Sequence, residues 1–93
     1  SGGMNVSSVE VERVLYAHGA VLEAAVVGMS DDYWGQAVTA FVVTRDAVTA
    51  EALIVHCKTD LAVYKVPKVI HFVDALPKDA QGKILKRQLR AGT

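Results

Sequence analysis

The sequence predicts a mixed α+β domain, a small three-stranded sheet flanked by helices in the order α-β-β-α-β-α. Three observations point there: a capped amphipathic segment at the start, two valine-rich stretches joined by a short polar connection, and a late basic segment with leucines at helical spacing. The chain has 93 residues, 52% of them hydrophobic and 22% charged. A length near this size buries roughly 60–70% of the unfolded surface, enough for one core without disulfide or metal staples.

The first helix is expected over residues 8–18. Ser7 followed by Glu10 fits a capping box, with Val6 and Val11 at the flanking apolar positions. Val11, Val14, Leu15 and His18 share one helical face, and Gly19 stands where a left-handed terminator is expected. Residues 21–29 and 36–44 then read as strands around a polar loop at 30–35. Neither alternates between polar and apolar residues, so the sheet is expected to be covered on both faces. Thr49, Ala52, Leu53, Cys57 and Leu61 read as a capped second helix, with Cys57 on its core face. Val66-Pro67 ends that region, because proline disfavours helix in the residue before it. Residues 68–73 form the expected third strand, 76–82 a polar loop and 83–90 a short helix with Leu85 and Leu89 inward.

Charge is balanced overall but not along the chain. Residues 1–57 hold 2 basic and 7 acidic side chains (−5), whereas residues 58–93 hold 8 basic and 3 acidic (+5). Neutral total charge, with only Tyr64 and Phe72 as aromatics in the basic part, argues against a nucleic-acid partner. No stretch reaches the roughly 20 apolar residues of a transmembrane helix, and the first residues do not resemble a secretory signal. The single Cys57 suits a reducing, cytoplasmic setting. His18, His56 and His71 are scattered without metal-ligand spacing, so no metal site is expected. The Gly82-Lys83 pair lacks the remainder of a P-loop. What stands out is the segment 76–90, where a glycine directly precedes Lys83 and puts an ammonium on a loop tip able to reach phosphate or carboxylate oxygens. Lys86, Arg87 and Arg90 beyond it read as a solvated helix face.

The segment Pro77-Lys78-Asp79-Ala80-Gln81-Gly82-Lys83-Ile84, with the basic residues after it, resembles the C-terminal lysine motif of the adenylate-forming enzymes. Ser1-Gly2-Gly3-Met4-Asn5-Val6 with Glu10 and Glu12, Asp32-Tyr33-Trp34-Gly35-Gln36 and Tyr64-Lys65-Val66-Pro67-Lys68 are similar to other motifs of that superfamily, in order. Ser8, Gly19 and Val66 depart from the pattern, standing where proline, proline and arginine are usual.

The resemblance implies a C-terminal lid domain over residues 1–93, lacking a large N-terminal domain that holds ATP, Mg2+ and the acid. It implies that Lys83 is the catalytic lysine for acyl-adenylate formation. A rotated lid would then present Gly2 and Gly3 to the pantetheine arm of CoA, with Trp34 stacking on its adenine and Tyr64 and Lys68 as further binding residues. The implied partners are the lid's own N-terminal domain, CoA, a carboxylic acid and a lysine acetyltransferase acting on Lys83. The fragment alone is expected to be inactive. Two alternatives stay open here: the equivalent subdomain of a peptide adenylation domain loading a carrier protein, and a free-standing α+β interaction module.

Overall fold

The computed structural model describes residues 6–33 and 35–91. Its elements are α1 (Ser8–Tyr16), β1 (Val21–Asp31), β2 (Gly35–Thr44), α2 (Ala50–Lys58), a 3-10 turn (Val63–Lys65), β3 (Val69–Phe72) and α3 (Lys86–Ala91). The sheet order is β1-β2-β3, with β1 antiparallel and β3 parallel to the central β2. A parallel neighbour cannot be reached through a tight turn, so the chain crosses over one face of the sheet as α2 before β3 begins.

The valine-rich strands fail to alternate because both faces are covered. Ala24, Val26, Val38, Ala40 and Val42 pack with Val11 and Leu15 of α1, with Leu53 and Cys57 of α2, and with Leu61 and Val66. Ala25, Val27, Phe41 and Val43 point the other way and meet Leu76 and Leu89. Across the strand pair Ala25 opposes Phe41 and Ala24 opposes Val42, so a small side chain makes room for a larger one.

Local signals set the helix starts. Ser7 Oγ accepts the Glu10 N–H at 3.3 Å and Thr49 Oγ1 accepts the Ala52 N–H at 3.0 Å. Half-buried Val6 packs against the cluster containing Val11, as an apolar staple requires. The carboxylate of Glu10 serves a tertiary contact, its Oε1 lying 2.8 Å from Lys65 Nζ. That hydrogen bond and its charge raise the Lys65 pKa.

Several expectations are corrected. α1 ends at Tyr16, and Gly19 is not left-handed: among the described residues only Gly35 and Gly82 have positive φ. Ala17 stays right-handed, the His18 N–H bonds Leu15 O at 3.0 Å, and His18 Nδ1 accepts the Ala20 N–H at 3.0 Å. Tight turn bonds thus satisfy the last carbonyls without a left-handed residue. α2 closes at Lys58, with Leu61 buried just beyond it and Ala52 exposed. α3 begins at Lys86 rather than at position 83, because residues 83–85 are drawn into pairing with residues 77–79.

Cys57 is free and fully buried, and burial with the nearby Asp60 charge pushes its thiol up to about 11 from the ordinary 9.0. The raised value means the folded state holds the neutral thiol, a contribution intact below about pH 9 and lost as pH rises through about 11. A maleimide at pH 8 should therefore leave Cys57 untouched in the folded chain and modify it after denaturation. Mass spectrometry reads the result, and rapid labelling of folded chain would contradict the burial.

Candidate functional site

The loop carrying Lys83 is a hydrogen-bonded hairpin. Its stem is closed by the Leu85 N–H donating to Pro77 O at 2.8 Å and by an antiparallel bridge between Lys78 and Ile84. Buried Leu76 and half-buried Ile84 anchor it on the second core cluster, and Lys78 Nζ pairs with Glu23 near the start of β1. At the tip the Asp79 N–H donates to Lys83 O at 2.9 Å and the Gly82 N–H to Asp79 O at 3.0 Å. Gly82 has φ +86°, a conformation glycine adopts without the steric cost a side chain brings. Asp79 Oδ1 accepts two further backbone protons, from Gln81 and Lys83, each at 2.9 Å. The tip is therefore pinned, and Lys83 projects from it as an exposed residue.

A second set of contacts ties the far end of the loop to α1. Glu12 Oε2 accepts the backbone N–H of Val26 at 2.8 Å and lies 2.8 Å from Lys86 Nζ, which also reaches Ser8 Oγ at 3.1 Å. β1 is an outer strand, so its outward N–H groups need partners, and one carboxylate on α1 supplies one while gripping α3. Lys86 is thus half-buried and paired rather than part of a solvated face. Glu12, Asp79 and Lys86 were not singled out as site residues from the sequence. Asp79 left a signal, an aspartate followed by a glycine three residues on, the composition of a side-chain-closed turn.

Of the expected CoA-binding residues, Gly2, Gly3 and Trp34 lie outside the described residues. The segments beside them converge: Val6 and Ser8 from the N-terminal side, and Gln36 and Ala37 just after Trp34, line one cleft with Gly28, Lys86 and Arg90. A Cβ at Gly28 would come within 2.7 Å of Gln36 Oε1, so the glycine lets that side chain lie across the strand. Tyr64 is part-exposed on the 3-10 turn, with Lys65 Nζ 5.7 Å from its ring centre. Lys68 is half-buried and its N–H donates to Val38 O at 2.8 Å. Neither residue lines the cleft. Lys83 and Ala24 line a neighbouring groove, the cleft reaches Val26 to Gly28, and Lys86 lines both.

Among the described residues no group of three or more His, Cys, Asp or Glu side chains could hold a metal ion. No described helix is long and apolar enough to cross a membrane.

The chain belongs to the family of AMP-binding enzyme C-terminal domains, whose family model matches residues 10–83 and so ends on Lys83. It is 52% identical over 90 residues to a 2-succinylbenzoate–CoA ligase of Bacillus cereus, a match covering 97% of this chain and 19% of that protein. A fatty acyl CoA synthetase of Mycobacterium tuberculosis superposes with a TM-score of 0.93 at 41% identity, over 99% of this chain and 18% of that one. The o-succinylbenzoate CoA synthetase of Bacillus subtilis, solved in complex with its acyl-adenylate intermediate, gives 0.89 at 42% identity over 95% of this chain and 18% of that one. The chain thus spans about a fifth of the length of the relatives it matches.

Proposed function

We propose that this chain is the C-terminal domain of an ATP-dependent, AMP-forming acid–CoA ligase, and that it presents a different part of its surface to each half-reaction. The observation that carries the reading is Lys83 on a pinned, solvent-facing tip, with a separate cleft lined by Val6, Ser8 and Gln36. In the first half-reaction a carboxylate oxygen attacks the α-phosphorus of ATP, the bond to pyrophosphate breaks, and an acyl-adenylate forms. The Lys83 ammonium offsets the negative charge moving onto the phosphate oxygens, and a tip already held in place needs no reorganisation to do so. In the second, the CoA thiolate attacks the acyl carbon and AMP leaves with the electron pair of the broken bond. Gly2 and Gly3 would leave room for the pantetheine arm, Trp34 would stack on adenine, and Tyr64 on the 3-10 turn and Lys68 just before β3 would add contacts. ATP and Mg2+ belong mainly to the large domain.

CoA is favoured over a carrier protein as acceptor because the relatives bear the names of CoA ligases. An acetyl group placed on Lys83 by an acetyltransferase would remove the charge and silence adenylation. The buried free thiol fits a cytoplasmic enzyme. The test is pyrophosphate release by the full-length protein against a panel of carboxylic acids headed by 2-succinylbenzoate and fatty acids. One or more acids should give ATP- and CoA-dependent thioester, while the 93-residue chain alone should give none. Activity from the isolated chain, or no response from the full-length protein to any acid, would overturn the reading.

A further inference from the structure

We propose that Asp79 is a positioning residue for Lys83, its carboxylate acting as the clamp that presents the lysine for adenylation. The inference rests on the reading of Lys83 just given. One oxygen, Asp79 Oδ1, takes the N–H groups of both Gln81 and Lys83 at 2.9 Å, while the backbone of the same residue closes the turn in both directions, donating to Lys83 O and accepting from Gly82. Four hydrogen bonds around one aspartate thus fix the peptide from which the Lys83 side chain departs. Electrostatics alone would not place an acid here. A tip that approaches the phosphates of ATP is a poor place for a negative charge, which repels the substrate and competes for the ammonium. The carboxylate is compatible with that task because its oxygen is turned onto backbone donors, where charge-assisted bonds are stronger than neutral ones.

The two halves of the turn separate by mutation. Asp79→Ala keeps both backbone bonds and loses the two side-chain bonds; Asp79→Asn keeps an acceptor oxygen and loses only the charge. Displacing a reacting group by an ångström can cost about a hundredfold, and a turn that retains its backbone bonds should shift by less. In the full-length enzyme Asp79→Ala is therefore expected to lower the kcat of pyrophosphate formation about tenfold with the KM for ATP little changed. Asp79→Asn should restore most of the rate. Thioester formation from supplied acyl-adenylate should stay near normal in Asp79→Ala, which also shows that the protein is folded.

Hydrogen exchange on the same proteins gives a second readout that does not depend on activity: protection of the Lys83 and Gln81 amides should fall in Asp79→Ala and survive in Asp79→Asn. If Lys83→Ala is slow while Asp79→Ala keeps its full adenylation rate, the positioning role is overturned. Equal loss in the Ala and Asn variants overturns it in favour of a charge effect. Should Lys83→Ala itself adenylate normally, the assignment of Lys83 is what fails, and amide exchange decides for the clamp: selective loss in Asp79→Ala supports it, and unchanged protection overturns it.

Discussion

Lys83→Ala in the full-length enzyme is expected to slow acyl-adenylate formation by a hundredfold or more while leaving the thioester step nearly untouched. A single preorganised contact to a developing anion is worth about 3 kcal/mol, and each 1.36 kcal/mol is a factor of about ten in rate. The loss should fall on chemistry rather than on folding. The Lys83 side chain is exposed and outside both core clusters, and the bonds that pin the tip run through its backbone N–H and C=O, which alanine keeps. Two assays separate the steps: ATP–pyrophosphate exchange with the cognate acid, and CoA thioester formation from synthetic acyl-adenylate. The second should run near the parent rate, because under the proposed two-orientation mechanism Lys83 is turned away from the acyl-adenylate when the thiol attacks. Equal loss in both assays would contradict the two-orientation mechanism. A normal exchange rate would remove Lys83 from the chemistry altogether.

What the sequence made legible follows from the range of the interactions involved. Ser7 and Thr49 announce their helices because a cap acts on a backbone N–H three residues away, and the structure has both bonds. The double coverage of the sheet was also readable, since strands buried on two faces cannot alternate. The start of the last helix was not. Ile84, Leu85 and Leu89 have helical spacing, yet pairing with Pro77 and Lys78 takes the first two into the hairpin stem. Gly19 misled for a related reason: glycine permits a left-handed turn but does not demand one, and His18 closed the chain by another route.

Glu12 was the least readable, because its acceptor role depends on which strand lies at the sheet edge and its partner Lys86 sits at the far end of the chain. Lys83 and the Gly2, Gly3 and Trp34 set were reached through motif resemblance. Composition and periodicity alone mark Lys83 only as a cation after a glycine.

The acceptor is tested at Trp34. Its neighbours show how the turn between β1 and β2 is displayed: Tyr33 is 83% exposed, and Gly35 takes φ +79°, the left-handed residue that lets the chain reverse into β2. Tyr33 and Gly35 on either side of position 34 are exposed, and Gln36 just after it lines the cleft, which supports a nucleotide contact at this turn. Base–aromatic stacking is worth roughly 1–3 kcal/mol by alanine substitution. Trp34→Ala in the full-length enzyme should therefore raise the KM for CoA roughly 5- to 150-fold. ATP–pyrophosphate exchange should be nearly unchanged, since CoA takes no part in adenylation. Pantetheine without its nucleotide discriminates further: parent and variant should use it equally, because the group that would stack is missing. If the variant handles CoA as the parent does, Trp34 anchors the turn and binds nothing. Should CoA fail as acceptor in the parent while a carrier protein is loaded, the domain serves a peptide-type adenylating enzyme, and the cleft beside Gln36 faces the carrier's pantetheine arm without an adenine to stack.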